Sequence, residues 1–147
     1  MKKSDYIPTY RIRMVPDGHI RVQNISKPEQ IVKSLQSLAL SDREVLVGFY
    51  LNSRNQVIAY HVISMGTVNL SIVHPREVFK PAIIKNACSV IIAHNHPSNN
   101  AIPSQADLDV TRRLKTAGMI LGIKLVDHII ITPAGKAYSI IKGCPIN

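Results

Sequence analysis

The sequence predicts one mixed α/β domain, a central sheet flanked by helices, and three observations carry that expectation. The run "SVIIAHNH" (89–96) is too short for a helix and apolar on both faces, as a strand buried on both sides is. Stretches with helical phasing alternate with such runs along the chain, the pattern of a sheet covered by helices. At 147 residues, 46% hydrophobic and 18% charged, the chain suits one packed core rather than two domains or a disordered segment.

Residues 10–23, "YRIRMVPDGHIRVQ", alternate about Pro16-Asp17-Gly18 and predict an opening hairpin. A helix follows, capped by Ser26, with Pro28 in its first turn and Ile31, Leu35 and Leu38 at helical spacing. Residues 43–51 and 56–64 read as strands of a hairpin joined by "NSRN", and 75–87 as a helix entered at Pro75 that Pro81 bends or shortens. After the central strand come a loop, a helix over about 104–116, a strand over 123–132, a turn at Pro133-Ala134-Gly135 and a last strand over 136–141. Residues 1–41 are thus expected to form a hairpin and helix packed on the principal unit, residues 42–147.

No segment approaches the ~20 apolar residues of a membrane span, and "MKKSDYIPTYRIR" lacks the apolar core of a secretory signal. Two cysteines without such a signal point to reduced thiols and a cytoplasmic setting, with Cys88, in an apolar neighbourhood, expected in the core and Cys144 uninformative. The formal charge of +9 fits nucleic acid, an acidic partner or solubility alone, and the absence of Trp leaves little for a base-stacking platform. An exposed sheet edge would allow a homodimer, and the oligomeric state stays open.

The chemistry concentrates after residue 93. Strand alternation sends His94 and His96 out of the strand's end on one face, where two imidazoles can chelate one divalent ion, zinc being the usual choice for nitrogen donors with a carboxylate. Asp107 shares the stripe of Val110, Leu114 and Ala117 on the following helix, so its carboxylate faces the core, where a metal would satisfy it. Ser104-Gln105-Ala106-Asp107 is also close to a capping box, which would explain the same carboxylate without any metal.

His-x-His, seven residues, then Ser-x-x-Asp, present as His94-Asn95-His96, residues 97–103, Ser104 and Asp107, resembles the signature of the JAMM metalloproteases, also called the JAB or MPN+ domain. With "PREVFKPAIIKNA", "IIAHNHPS", "TRRL" and "LGIKLVDHIII", the chain is similar to the RadC branch of that superfamily over about residues 42–141. The resemblance implies a JAB/MPN-like, cytidine-deaminase-like layered fold. It also implies a zinc ion held by His94, His96 and Asp107 with water in the fourth position, and hydrolysis of an amide or isopeptide bond in a protein or peptide. Three protein ligands and an open position is the catalytic arrangement, whereas structural zinc fills all four positions with protein.

In that family Ser104 would hydrogen-bond the developing oxyanion and Glu44, early in an upstream strand, would move the proton. Glu29 and Glu77 compete for the second role, but each sits in an expected helical first turn, where the helix dipole accounts for it. His19, His61 and His74 read as surface or satisfied core; the pair Asp127-His128, which the RadC branch shares, has no role assigned by the sequence. Two departures stand out. Asn99 replaces the glycine usual after Pro-Ser, and asparagine tolerates the left-handed conformation better than other residues with a Cβ. Longer relatives also carry an N-terminal helix-hairpin-helix segment associated with DNA contact. The alternative function, a DNA-associated accessory factor binding non-specifically through the basic surface, rests on the charge and on the branch's repair-related name.

Overall fold

The computed structural model describes residues 28–66 and 73–146, besides Arg11, Val15, Pro16 and Gly18. The hairpin expected over 10–23, with His19, and the Ser26 cap fall largely outside those residues. In chain order the elements are α1 (Pro28–Ser34), α2 (Gln36–Ala39), β1 (Val45–Leu51), β2 (Val57–Met65), α3 (Pro75–Ile84), β3 (Ser89–Asn95), α4 (Gln105–Leu121), β4 (Lys124–Ile131), β5 (Ala137–Ser139) and β6 (Cys144–Ile146). The strands form one mixed sheet in the order β2-β1-β3-β4-β5-β6. Among the described strands only the β3–β4 pair is parallel, and the intervening α4 supplies the crossover that a parallel pair needs.

Helices cover both faces, which explains why β1 and β3 are mostly apolar and buried at every position, β3 turning polar at Ser89 and at His94-Asn95. On one face Leu46, Tyr50, Val90, Ile92 and Leu125 pack with Val78, Phe79 and Ala82 of α3 and Val110 and Leu114 of α4. On the other, Val47, Phe49, Ile91, Ala93, Ile129 and Ile131 pack with Ile31 and Leu35 beside α2's Ala39. Burying a Leu, Ile or Phe side chain contributes about 1.5–3 kcal/mol, so these two apolar layers hold the sheet between its helices. The β1–β2 hairpin forms as expected: Asn52 Oδ1 accepts from the N–H groups of Arg54 (2.9 Å) and Gln56 (3.0 Å), and Asn55 takes the left-handed conformation, φ 59°.

Several expectations are corrected. The first helix breaks at Leu35, whose φ of −101° and ψ of 9° leave the helical region, although Ile31 and Leu35 are buried as the spacing implies. Helix α3 passes through Pro81 and ends at Ile84, short of residue 87; Lys85 N–H still reaches Pro81 O at 3.0 Å. Helix α4 runs well past residue 116 to Leu121 and stops where Gly122 turns left-handed, φ 70°. Strand β6, with Pro145 in it, was not anticipated; at a sheet edge proline removes no needed ladder bond. Cys88 is exposed, not core: its backbone joins Leu51 O and Lys124 N–H while its thiol lies outside the apolar layers. Cys144 is exposed as well.

Candidate metal centre

The site forms where β3 ends and α4 begins. His94 shares the face of Val90 and Ile92, covered by α3 and α4, and is fully buried. His96 lies just past the strand, but its N–H still bonds Ile131 O at 2.8 Å, so the next alternation is kept and both rings emerge on one side. His94 Nε2 and His96 Nε2 stand 2.9 Å apart, with Asp107 Oδ1 3.3 Å from the first and Oδ2 3.5 Å from the second. Donors at ~2.0–2.2 Å from one tetrahedral ion lie roughly 3.3–3.6 Å from each other, so the triangle is close to the size zinc requires.

Asp107 reaches this position through the helix cap. Ser104, extended at φ −75° and ψ 167°, caps α4, with its Oγ accepting from Asp107 N–H at 3.2 Å. Asp107 Oδ2 accepts in return from Ser104 N–H (2.7 Å) and from its hydroxyl (2.8 Å). The capping box and the inward carboxylate are therefore one arrangement: Oδ2 closes the box and faces His96, while Oδ1 faces His94. The Ser104 hydroxyl is engaged with Asp107 in this state.

Hydrogen-bond direction supplies a second test of the donor set. His96 Nδ1 faces the Asn100 carbonyl at 2.7 Å, an acceptor only, so Nδ1 carries hydrogen and Nε2 of the neutral ring holds a lone pair. Thr111 Oγ1 donates to Asp107 O at 2.6 Å and lies 2.6 Å from His128 Nδ1, so that nitrogen is the donor and His128 Nε2 the acceptor. His94 Nδ1, 2.8 Å from His128 Nε2, is then the donor of that bond, which leaves His94 Nε2 unprotonated. Two lone pairs and a carboxylate converge on one point, and a cation there would satisfy all three. The residues fit a metal.

The electrostatics favour positive charge beside Asp107, whether a proton or an ion supplies it. Burial opposes charge on Asp107, yet the His94 and His96 rings, which donate to it when protonated at Nε2, and the Ser104 backbone N–H hold its carboxyl far below the ordinary carboxylate range. Burial also opposes charge on His96, but Asp107, the Asn100 carbonyl and the charge of Glu44 outweigh it and raise its pKa. Complete burial and the adjacent His94 push His128 well below the usual histidine value.

Glu44 lies immediately before β1, half-buried. Leu46 pairs with His94 in the β1–β3 ladder, and Glu44, two residues earlier, falls on the same side by alternation, near enough for its charge to act on His96. Asn95 secures that segment. Fully buried, it accepts from Val45 N–H (2.8 Å) and donates to the carbonyls of Arg43 (2.9 Å) and Ser41 (3.3 Å), replacing the ladder where β1 and β3 part. The competing glutamates are elsewhere: Glu29 and Glu77 occupy the first turns of α1 and α3, and the Arg76 hydrogen bond and the Lys80 charge lower the pKa of the partly exposed Glu77. His61 and His74 are exposed. Asn99 is left-handed as expected, φ 63°, and its Oδ1 accepts from Ala134 N–H at 3.0 Å, tying the loop to the β4–β5 turn. His128, Thr111 and Asn95 are the participants that sequence reading did not place. The spacing of Thr111, four residues after Asp107 on one helical face, was the available signal for the second.

A family model described as the RadC-like JAB domain matches residues 25–144. A UPF0758 protein of Geobacillus thermodenitrificans (strain NG80-2) is 44% identical over 129 residues, covering 88% of this chain and 52% of its own. A UPF0758 protein of Rubrobacter xylanophilus is 47% identical over 119 residues, 80% of this chain and 51% of that protein. For a UPF0758 protein of Caldanaerobacter subterraneus subsp. tengcongensis the identity is 47% over 109 residues, with coverages of 74% and 47%. The chain thus spans about half the length of these relatives.

Proposed function

This chain belongs to the RadC-like JAB domain family, and from that premise we propose that it is a zinc-dependent hydrolase cleaving an amide or isopeptide bond in a protein or peptide. The observation that carries the reading is the convergence of His94 Nε2, His96 Nε2 and the Asp107 carboxylate, with both imidazole lone pairs turned inward. These three residues would hold the ion, and the fourth position would be left to water. Bound zinc lowers the pKa of a coordinated water to about 7 and polarises a carbonyl.

The chain's own residues supply the rest. Glu44, on the side of the histidines, takes the attacking water's proton on its carboxylate and returns it to the leaving nitrogen. Ser104, by turning its hydroxyl from Asp107 Oδ2, donates to the oxyanion as the carbonyl becomes tetrahedral, an interaction typically worth ~3–4 kcal/mol. Asp107 keeps the Ser104 backbone N–H as a partner when the hydroxyl leaves.

The test begins with metal content. Mass spectrometry on tag-free protein should find zinc near one per chain, lost in His96→Ala and in Asp107→Ala. Glu44→Gln should retain the zinc while losing roughly 10²–10⁴-fold in hydrolysis across a panel of peptide and isopeptide substrates. A folded parent protein that holds no metal after zinc addition and buffer exchange would sink this reading.

A further inference from the structure

His128 comes from neither the His-x-His strand end nor the helix that carries Asp107, yet it is joined to both. It reaches the site because of an irregularity in β4. Val90 pairs with Leu125, but the next β3 residue, Ile91, pairs with Asp127, so Val126 is an extra residue in the ladder. Such a bulge reverses the alternation that follows. Leu125 packs on the α3/α4 face, and without the bulge His128, three residues on, would face the opposite layer, where Ile129 and Ile131 pack. With it, His128 pairs with Ile92 and turns toward His94. Asp127 braces the bulge: Oδ1 accepts from His128 N–H at 2.8 Å, and both oxygens accept from the Ser139 hydroxyl at 2.8 and 2.7 Å.

The resulting bonds close a ring. Asp107 O accepts from the Thr111 hydroxyl, Thr111 Oγ1 from His128 Nδ1, and His128 Nε2 from His94 Nδ1, while His94 Nε2 faces Asp107 Oδ1. We propose that His128, anchored by Thr111 and placed by the Asp127 bulge, is a positioning residue that fixes His94 in the tautomer with Nε2 free to bind metal. The inference rests on the metal reading above for its purpose, and on the ring alone for its geometry. A ligating histidine ordinarily leans on a carboxylate, a carbonyl or water; here a neutral imidazole serves, so orientation is achieved without a second negative charge beside Asp107. The same ring sets the Asp107 backbone and the His94 ring with one relay, so both donors depend on it.

Two readouts on the full chain test this. Zinc affinity, measured by competition with a chromogenic chelator, should fall roughly 10–100-fold in His128→Leu. His128→Gln, whose side-chain carbonyl can accept from His94 Nδ1, should stay within a few-fold of the parent. Independently, long-range ¹H–¹⁵N correlation spectra of metal-free protein should show His94 as the Nδ1–H tautomer in the parent and in His128→Gln, and a shift toward Nε2–H in His128→Leu. Should the leucine variant not fold, Thr111→Val, which removes only the hydroxyl anchor, should move both readouts in the same direction. A folded leucine or valine variant with parental zinc affinity and an unchanged His94 tautomer would overturn the proposal. A parent that binds no zinc would refute the metal reading, and the tautomer spectra would then decide the inference by themselves.

Discussion

Asp127 carries a carboxylate into the middle of the sheet, 1% exposed, with the Ser139 hydroxyl and the His128 N–H as partners. Burial dominates over those bonds and raises its pKa. The unfolded chain ionises this residue near ~3.9, whereas the folded one resists until a higher pH. Its contribution to stability is therefore complete below about pH 4 and lost as pH rises through the folded value, at up to ~1.4 kcal/mol per pH unit for one proton. Asp127→Asn keeps an oxygen for His128 N–H and cannot ionise. Urea denaturation of both proteins at pH 4 and pH 7, with chelator present, should show the stability difference moving in favour of the asparagine variant at pH 7. An unchanged difference would mean that the carboxylate ionises as freely folded as unfolded. Asn95 illustrates the opposite economy at residue scale, a neutral amide using one acceptor and its donors in full on Val45, Arg43 and Ser41. No pH dependence follows from it.

Among the elements, α4 is the one that sets the site's depth, and Gly118 sets how closely its last turns approach β4. A Cβ there would stand 2.4 Å from Ile123 O and 3.2 Å from the Phe79 ring. Alanine favours a helix interior over glycine by ~1 kcal/mol, but the obstacle is backbone, and overpacking of this kind costs about 1–3 kcal/mol. Gly118→Ala should therefore lower the denaturation midpoint, and a raised midpoint would show that α4 shifts freely. How legible each element was follows from whether its phase is local. The 3.6-residue stripe of α4 is continuous, so Asp107, Val110 and Leu114 could be placed on the buried face from sequence, and all three are buried. Strand β3 alternates without interruption, so His94 and His96 could be paired. In β4 a single extra residue at Val126 reverses the phase, and no feature of "KLVDHIII" marks where. His128 thus stayed unassigned, and so did Asn95, whose partner Val45 is 50 residues away. The break at Leu35 and the edge strand β6 were hidden for the same reason, since both depend on what the sheet packs against or leaves uncovered.

At the scale of the whole molecule, the sheet divides two apolar layers, and the donor set sits at the end of one of them, where β3, α4 and β4 meet. An ion there would join the helix layer to the sheet through Asp107 and His94, with β4 included through His128. The unfolded chain has no such assembled site, so a bound ion would stabilise the native state by mass action, by ~2.7 kcal/mol at a hundred times its dissociation constant. For a chain of this size each kcal/mol moves the melting temperature by ~2–4 °C, so zinc at that excess should raise Tm by roughly 5–10 °C and chelator should reverse it. Glu44→Gln should show the same rise, because Glu44 is outside the donor set, while Asp107→Ala should show none. A comparable rise in Asp107→Ala would place the stabilising ion elsewhere on the molecule. A loss of the rise in Glu44→Gln would draw Glu44 into the ligand sphere and remove it as the free base. Calorimetry with and without zinc on these three proteins therefore separates the residues proposed to hold the ion from the one proposed to move the proton, before any substrate is known.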